Sequence, residues 1–165
     1  MRLLVTAGPT REWLDPVRFI SNASSGRMGY TIAREAIRCG HEVILVSGPV
    51  ALRPPRRAKI VPVETALQML QGVMEHIDEV DALVKTAAVA DYRPANTSPT
   101  KMKRRKSPLI LKLLPNPDIL AEAAKRKIAP GRYDCQKTYL EVVQNVLDRK
   151  SGNLRYTIDF TKKVI

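Results

Sequence analysis

Leu3-Leu4-Val5-Thr6-Ala7, closed by Gly8-Pro9, is a short apolar, β-prone run that stops at two turn-forming residues. An uninterrupted apolar run of that length predicts a strand buried on both faces. A mixed, largely polar stretch follows from Thr10 to Ser25. Met28, Ile32, Ala33, Ala36 and Ile37 then recur at helical spacing, with Asn22, Ser24 and Ser25 offering cap chemistry ahead and Gly40 closing the helix. Val43-Ile44-Leu45-Val46 predicts a second strand, ending at Ser47-Gly48-Pro49, and Lys59 to Val63 a third. Leu67, Leu70, Val73, Met74 and Ile77 mark a second helix, and Ala82-Leu83-Val84 begins a fourth strand running into Thr86-Ala87-Ala88-Val89. Strands alternating with helices predict an α/β fold in three layers, a mostly parallel sheet with helices on both faces. Ligands of such folds sit beyond the carboxyl ends of the strands, here Gly8-Pro9-Thr10, Ser47-Gly48-Pro49 and Ala90-Asp91-Tyr92.

Further along, Asn96 to Lys106 combines Pro99, small polar residues and a basic run, and reads as a mobile flap. Leu109 to Leu113 predicts a returning strand, so that 91–115 forms a flap and its return. Asn116-Pro117-Asp118 then starts a helix, with Asn116 as cap and Ile119, Leu120, Ala123 and Ala124 on its apolar side. Tyr139 to Lys150 reads as another helix and Leu154 to Phe160 as a last strand.

The length, 165 residues, suits one domain with its own core. Apolar residues at 44% and charged residues at 27% argue against disorder. No 18-residue apolar run is present, so no membrane span is expected. The first residues turn polar too soon for a secretory leader. Cys39 and Cys135 lack paired spacing for a zinc site or a disulfide framework, and a cytoplasmic setting is the expectation. Lys and Arg number 28 against 16 Asp and Glu, a net charge of +12, which attracts polyanions, whether nucleic acid or phosphorylated small molecules. The charge clusters at Arg53 to Lys59 and at Lys101, Lys103, Arg104, Arg105 and Lys106. Aromatics are only 5%, which leaves few stacking platforms for single-stranded nucleic acid.

Ser21-Asn22-Ala23-Ser24-Ser25-Gly26 leads into a predicted helix N-terminus, where free N–H groups and the positive dipole end favour anions. The segment is not a P-loop or a G-x-G-x-x-G turn, and a plain serine-capped helix fits it equally. Asp91 can accept a base or ribose hydrogen bond, hold a cation, or simply form a turn. Arg11, Glu12, Asp15 and Arg18 share one loop and can pair among themselves. His41 and His76 have no catalytic companions and read as structural.

Together these loops resemble phosphopantothenate–cysteine ligases of coenzyme A biosynthesis. The resemblance rests on Thr6-Ala7-Gly8-Pro9-Thr10-Arg11-Glu12 and on the long block from Asp15 to Gly29. It continues through Leu45 to Val50, Ala87 to Pro94, Lys101-Met102-Lys103-Arg104 and Asn116 to Leu120. It implies a Rossmann-like fold working as a homodimer. It implies activation of the 4′-phosphopantothenate carboxylate by CTP with magnesium, through an acyl-cytidylate, followed by attack of the cysteine amine. By the same resemblance, Asn22 and Lys101 are catalytic, with Asn22 and Arg18 touching substrate. Gly8, Ser24, Ser25, Gly26, Ala88, Val89, Asp91, Lys103, Pro117, Asp118, Ile119 and Leu120 bind the nucleotide, and Asp91 is the candidate metal ligand. Many relatives are fused to a flavin-dependent decarboxylase. Here that half is absent, so no flavin is expected and the decarboxylase is a possible separate partner.

Three positions or regions depart from the family pattern. Trp13 replaces a usual proline, Lys85 replaces an apolar residue late in the fourth strand, and 128–165 is divergent and short, with only Thr138 and Gly131 in correspondence. A lysine at position 85 is costly inside a sheet but useful if it points into the ligand cleft. Two alternatives stay open beside an active ligase. One is a ligase-like protein that binds nucleotide without efficient turnover. The other is a basic nucleic-acid-binding module, against which no recognition-helix motif is found.

Overall fold

Period-two alternation in a strand sends successive side chains to opposite faces, so a strand apolar at every position must be covered on both sides. Leu3–Val5 of β1 (Arg2–Ala7), Val43–Val46 of β4 (Glu42–Ser47) and Ala82–Val84 of β6 (Ala82–Lys85) have that character. A computed structural model describes residues 1–104 and 106–127, and it places these strands side by side in one parallel sheet. With β5 (Lys59–Pro62) the order is β5-β4-β1-β6, all four parallel. Leu3 stands beside Val43 on one side and Ala82 on the other.

Leu3, Val5 and Ala7 point to one face, with Val43, Leu45, Ala82 and Val84, and meet α1 (Arg27–Arg38) through Tyr30, Ile32, Ala33 and Ala36. Leu4, Ile44, Val46 and Leu83 point to the other face. They meet Met69 and Val73 of α2 (Ala66–His76) and Ile119 and Ala123 of α3 (Ile119–Lys127). Each large aliphatic side chain so buried contributes about 1.5–3 kcal/mol. The three-layer architecture is therefore the one expected from the strand pattern. No helix among the described residues is long and apolar enough to cross a membrane.

Several details differ from the sequence reading. The buried stripe of α2 runs through Ala66, Met69 and Val73, while Leu67 is 47% exposed, so the helix is rotated from the face first inferred. Its N-terminus is held by a capping box, Thr65 Oγ1 accepting from Gln68 N at 3.2 Å and Gln68 Oε1 accepting from Thr65 N at 3.1 Å. The buried Glu12 carboxylate takes the next orphan donor, Ala66 N, at 2.9 Å. Thus Glu12 belongs to the helix cap, not to a network with its loop neighbours.

The polar stretch after β1 contains a short hairpin, β2 (Arg11–Trp13) with β3 (Phe19–Ser21), which no apolar periodicity announces. Trp13 belongs to it, its ring 5.0 Å from Phe19 edge-on and its Nε1 donating to Glu64 Oε2 at 3.1 Å. The fourth strand ends at Lys85, but hydrogen bonding to the β1 segment continues past it, Thr86 N donating to Thr6 O at 3.2 Å, Ala88 N to Gly8 O at 2.9 Å and Thr10 N to Ala88 O at 3.3 Å. The returning strand is not Leu109 to Leu113 but β8 (Leu113–Pro115), antiparallel to β7 (Tyr92–Pro94), and Leu109 and Ile110 are exposed. β8 lies where Tyr92 to Pro94 offer partners, and an apolar run alone does not reveal that register. The expected helix at 139–150 and strand at 154–160, with Thr138 and Gly131, lie outside the described residues.

Candidate active site

At the carboxyl edge of the sheet, three loops approach more closely than side chains permit. Gly8 and Gly26 have left-handed backbones, φ +76° and +72°. A Cβ on Gly26 would lie 2.8 Å from Val50 Cγ1 and 3.3 Å from the Cα of Gly8. A Cβ on Gly48 would lie 1.8 Å from the Pro9 carbonyl oxygen. Gly29 plays the same part inside the helix, where a Cβ would meet Thr86 Oγ1 at 2.5 Å and Ala7 Cβ at 2.6 Å. These glycines set the first turn of α1 directly onto the end of β1.

Gly26, not a serine, is the N-cap of α1, and no side chain caps the helix. The expected capping by Asn22, Ser24 or Ser25 is therefore corrected. A left-handed glycine turns the chain so sharply that Ser24 Oγ instead accepts from Gly26 N, at 3.3 Å. The first N–H groups of α1 thus keep their capacity for an external acceptor, the property of a helix-end anion site.

Side-chain and backbone bonds draw the Ser21–Gly26 loop against the loop after β6. Thr10 Oγ1 accepts from Ala90 N at 2.9 Å, and Ser21 Oγ donates to Thr10 O at 2.7 Å. Asn22 Nδ2 donates to Val89 O at 2.9 Å, which fixes the plane of its amide. Gly8, Gly26, Asn22 and the Ala88–Val89 loop are thereby assembled at one place.

Ala88, Val89, Asp91, Pro117, Asp118 and Ile119 line one cleft of about 330 Å³, together with Lys85 and Asn116. Asn116 does not cap α3. Its Nδ2 donates to Ala90 O at 2.8 Å and its Oδ1 accepts from Arg93 Nη1 at 3.1 Å, joining the two walls of the cleft. The cap is Asp118, whose Oδ1 accepts from Leu120 N at 2.9 Å and Ala121 N at 3.1 Å. Leu120 does not line the cleft but packs, half-buried, against the core under α3. Lys85 points into the cleft, its Nζ 4.0 Å from Asp118 Oδ1. The family departure at this position thus places a cation at the cleft instead of inside the sheet.

The basic flap is fastened at its base to the β2–β3 hairpin. Thr97 Oγ1 donates to Trp13 O at 3.0 Å and Ser98 N to Leu14 O at 2.9 Å. Asp15, fully buried, accepts from Met102 N at 3.1 Å, and Arg18 Nη2 donates to Met102 O at 2.9 Å. Arg18 is therefore engaged with Asp15 and the flap backbone. Lys101 and Lys103 flank Met102 and are exposed. The Arg18 hydrogen bonds hold the Asp15 carboxyl well below the usual carboxylate range, outweighing its burial, with the Val17, Met102 and Arg18 amides adding to the effect. Because that group is depressed in the folded state, its contribution is present at neutral pH and is lost as pH falls into the acid range.

No group of three or more His, Cys, Asp or Glu that could hold a metal is found among the described residues. Asp91, exposed, and Asp118 are the two carboxylates on the walls of the cleft. That arrangement suits magnesium carried on nucleotide phosphates, which takes few protein ligands. Gly29, Gly48, Thr86 and Asp15 were not assigned to the site from the sequence. For the glycines, the signals in the sequence were their place in the stretches that carry the family resemblance and, for Gly48, its position just after a strand.

The family model for the DNA/pantothenate metabolism flavoprotein C-terminal domain matches residues 1–133. The coenzyme A biosynthesis bifunctional protein CoaBC of Escherichia coli (strain K12) is 48% identical over 130 residues, 77% of this chain and 32% of that protein. CoaBC of Bacillus subtilis (strain 168) is 44% identical over 126 residues, 76% of this chain and 31% of that protein. The chain thus spans about a third of the length of these curated relatives. A crystal structure of the CoaBC C-terminal domain superposes with a TM-score of 0.67 at 49% identity, covering 76% of this chain and 59% of that one. The matched residues include every loop of the cleft and flap described above, and on that ground the chain belongs to the DNA/pantothenate metabolism flavoprotein C-terminal domain family.

Proposed function

We propose that this chain is a CTP-dependent phosphopantothenate–cysteine ligase acting in coenzyme A biosynthesis. The observation that carries the reading is the junction itself. An uncapped helix N-terminus, the Asn22 amide and a nucleotide-sized cleft meet at one sheet edge. They do so in a domain family whose relatives are named for that pathway.

The chemistry suits these residues. A carboxylate is a poor electrophile and must acquire a leaving group. A 4′-phosphopantothenate carboxylate oxygen attacks the α-phosphorus of CTP, and the bond to the β-phosphate oxygen breaks, releasing pyrophosphate. The cysteine amine then attacks the acyl carbon, loses a proton, and expels CMP. Positioning and neutralisation of phosphate charge account for most of such catalysis. The α1 N-terminus with Ser24, Ser25 and Gly26 receives triphosphate oxygens. Asn22 orients the acyl-cytidylate. Ala88, Val89 and Pro117 to Ile119 wall the base and ribose, with Asp91 as hydrogen-bond acceptor. Lys101 meets developing negative charge, and Lys103 supplements the field, while Arg18, paired with Asp15, holds the flap. Magnesium, carried on the triphosphate, offsets its charge when bound. In this reading the protein works as a homodimer, and a flavin-dependent decarboxylase acts on its product.

The test is formation of 4′-phosphopantothenoylcysteine, followed by mass, with CTP, magnesium and both substrates present. Product that requires CTP supports the reading, and its absence with a folded protein opposes it.

Lys85 gives a sharper expectation. Lys85→Met is expected to weaken CTP binding about threefold to tenfold, because a charge-assisted contact contributes on the order of 1 kcal/mol. The loss should shrink as salt rises. Isothermal titration at two salt concentrations measures it, and unchanged affinity would assign Lys85 to Asp118 alone.

A further inference from the structure

Two segments far apart in the sequence meet at one buried carboxylate. Asp15 sits in the turn of the β2–β3 hairpin with no exposed surface. Its Oδ1 serves the turn, accepting from Val17 N and Arg18 N, each at 2.9 Å. Its Oδ2 faces elsewhere, accepting from Arg18 Nε at 3.0 Å and from Met102 N at 3.1 Å. Arg18 then returns to the same residue, Nη2 donating to Met102 O at 2.9 Å. Both the donor and the acceptor of Met102 are thus gripped by one ion pair. A turn needs only the Oδ1 bonds. The Oδ2 side is surplus to the hairpin and is spent on the flap.

We propose that Asp15 is a positioning residue: with Arg18 it seats the backbone of Met102, and so sets where the exposed Lys101 and Lys103 on either side of it stand. The seat itself rests on the geometry. What the two lysines act upon rests on the ligase reading. Charge-assisted bonds to a buried carboxylate are stronger than neutral ones and leave a costly orphan when broken, which favours a single seated position.

Two variants of the full chain separate this role from a purely structural one. Asp15→Asn keeps the size and an acceptor for the turn but loses the charge that holds Arg18 and Met102. Met102→Pro deletes the flap N–H without touching Asp15. The readouts are tryptic cleavage of the Lys103–Arg104 bond, followed by mass, and the kcat against KM split with CTP. Both variants should raise cleavage at that bond by about fivefold or more. Both should lower kcat by about tenfold or more while the KM for CTP stays within about threefold. Unchanged cleavage in both variants overturns the seat, and faster cleavage with an unaltered kcat overturns its role as a positioning residue for the reaction. Should Asp15→Asn fail to fold, Met102→Pro decides alone. If the parent shows no ligase turnover while cleavage rises in the variants, the seat stands and the ligase reading fails.

Discussion

Gly48→Ala is expected to lower the thermal midpoint by about 10 °C or more and to abolish nucleotide binding. The added Cβ would lie 1.8 Å from the Pro9 carbonyl oxygen and 2.8 Å from its carbon, so it meets backbone and not a side chain that can swing aside. Relief requires the β4 loop to withdraw from the β1 loop. Strain of that kind belongs with the severe point mutations, roughly 3 kcal/mol or more, which in a chain of this size shifts the midpoint by about 10 °C. Gly40→Ala is the control. Its φ of +84° makes alanine strained, yet nothing lies within 4 Å of the added atom, so a loss of about 1 kcal/mol is expected. Circular dichroism melts of the two variants read the difference. Equal midpoints would mean that the loop junction is softer than its geometry implies.

Lys101→Gln is expected to lower kcat by about a hundredfold or more while CTP affinity stays within about threefold. Lys101 is exposed beside the seated Met102, so glutamine costs the fold little. Glutamine keeps a hydrogen-bond donor, on a side chain one atom shorter, but not the charge. It therefore spares ground-state contacts more than the stabilisation of charge that develops in the transition state. Acyl-cytidylate should accumulate, detectable by mass after a quench in acid. Parent-like turnover would remove Lys101 from the mechanism.

The central sheet was legible because its physics is local. Runs such as Leu3 to Val5 and Val43 to Val46 are apolar at every position, and only a doubly covered strand accommodates that. The β2–β3 hairpin was not legible. Its strands are three residues each, and its order comes from one buried carboxylate and a Trp13–Phe19 contact. Gly26 taking the cap of α1 was hidden for a related reason. Serines are the better caps by preference, and only the approach of Gly8 and Val50 shows why a left-handed glycine stands there. At the site, the family resemblance pointed to loops that the structure brings together at one sheet edge. It did not show that Asn22 spends its amide on Val89, or that Lys85 turns into the cleft. The bond from Met102 to Asp15 spans 87 residues and could not be read from either segment.

The most direct test of the account is pyrophosphate release from CTP and magnesium, with and without 4′-phosphopantothenate, cysteine being omitted throughout. Release is expected only when 4′-phosphopantothenate is present, because the carboxylate is the attacking group. No release, with CTP still raising the thermal midpoint, would contradict it and leave a site that binds nucleotide without activating an acid.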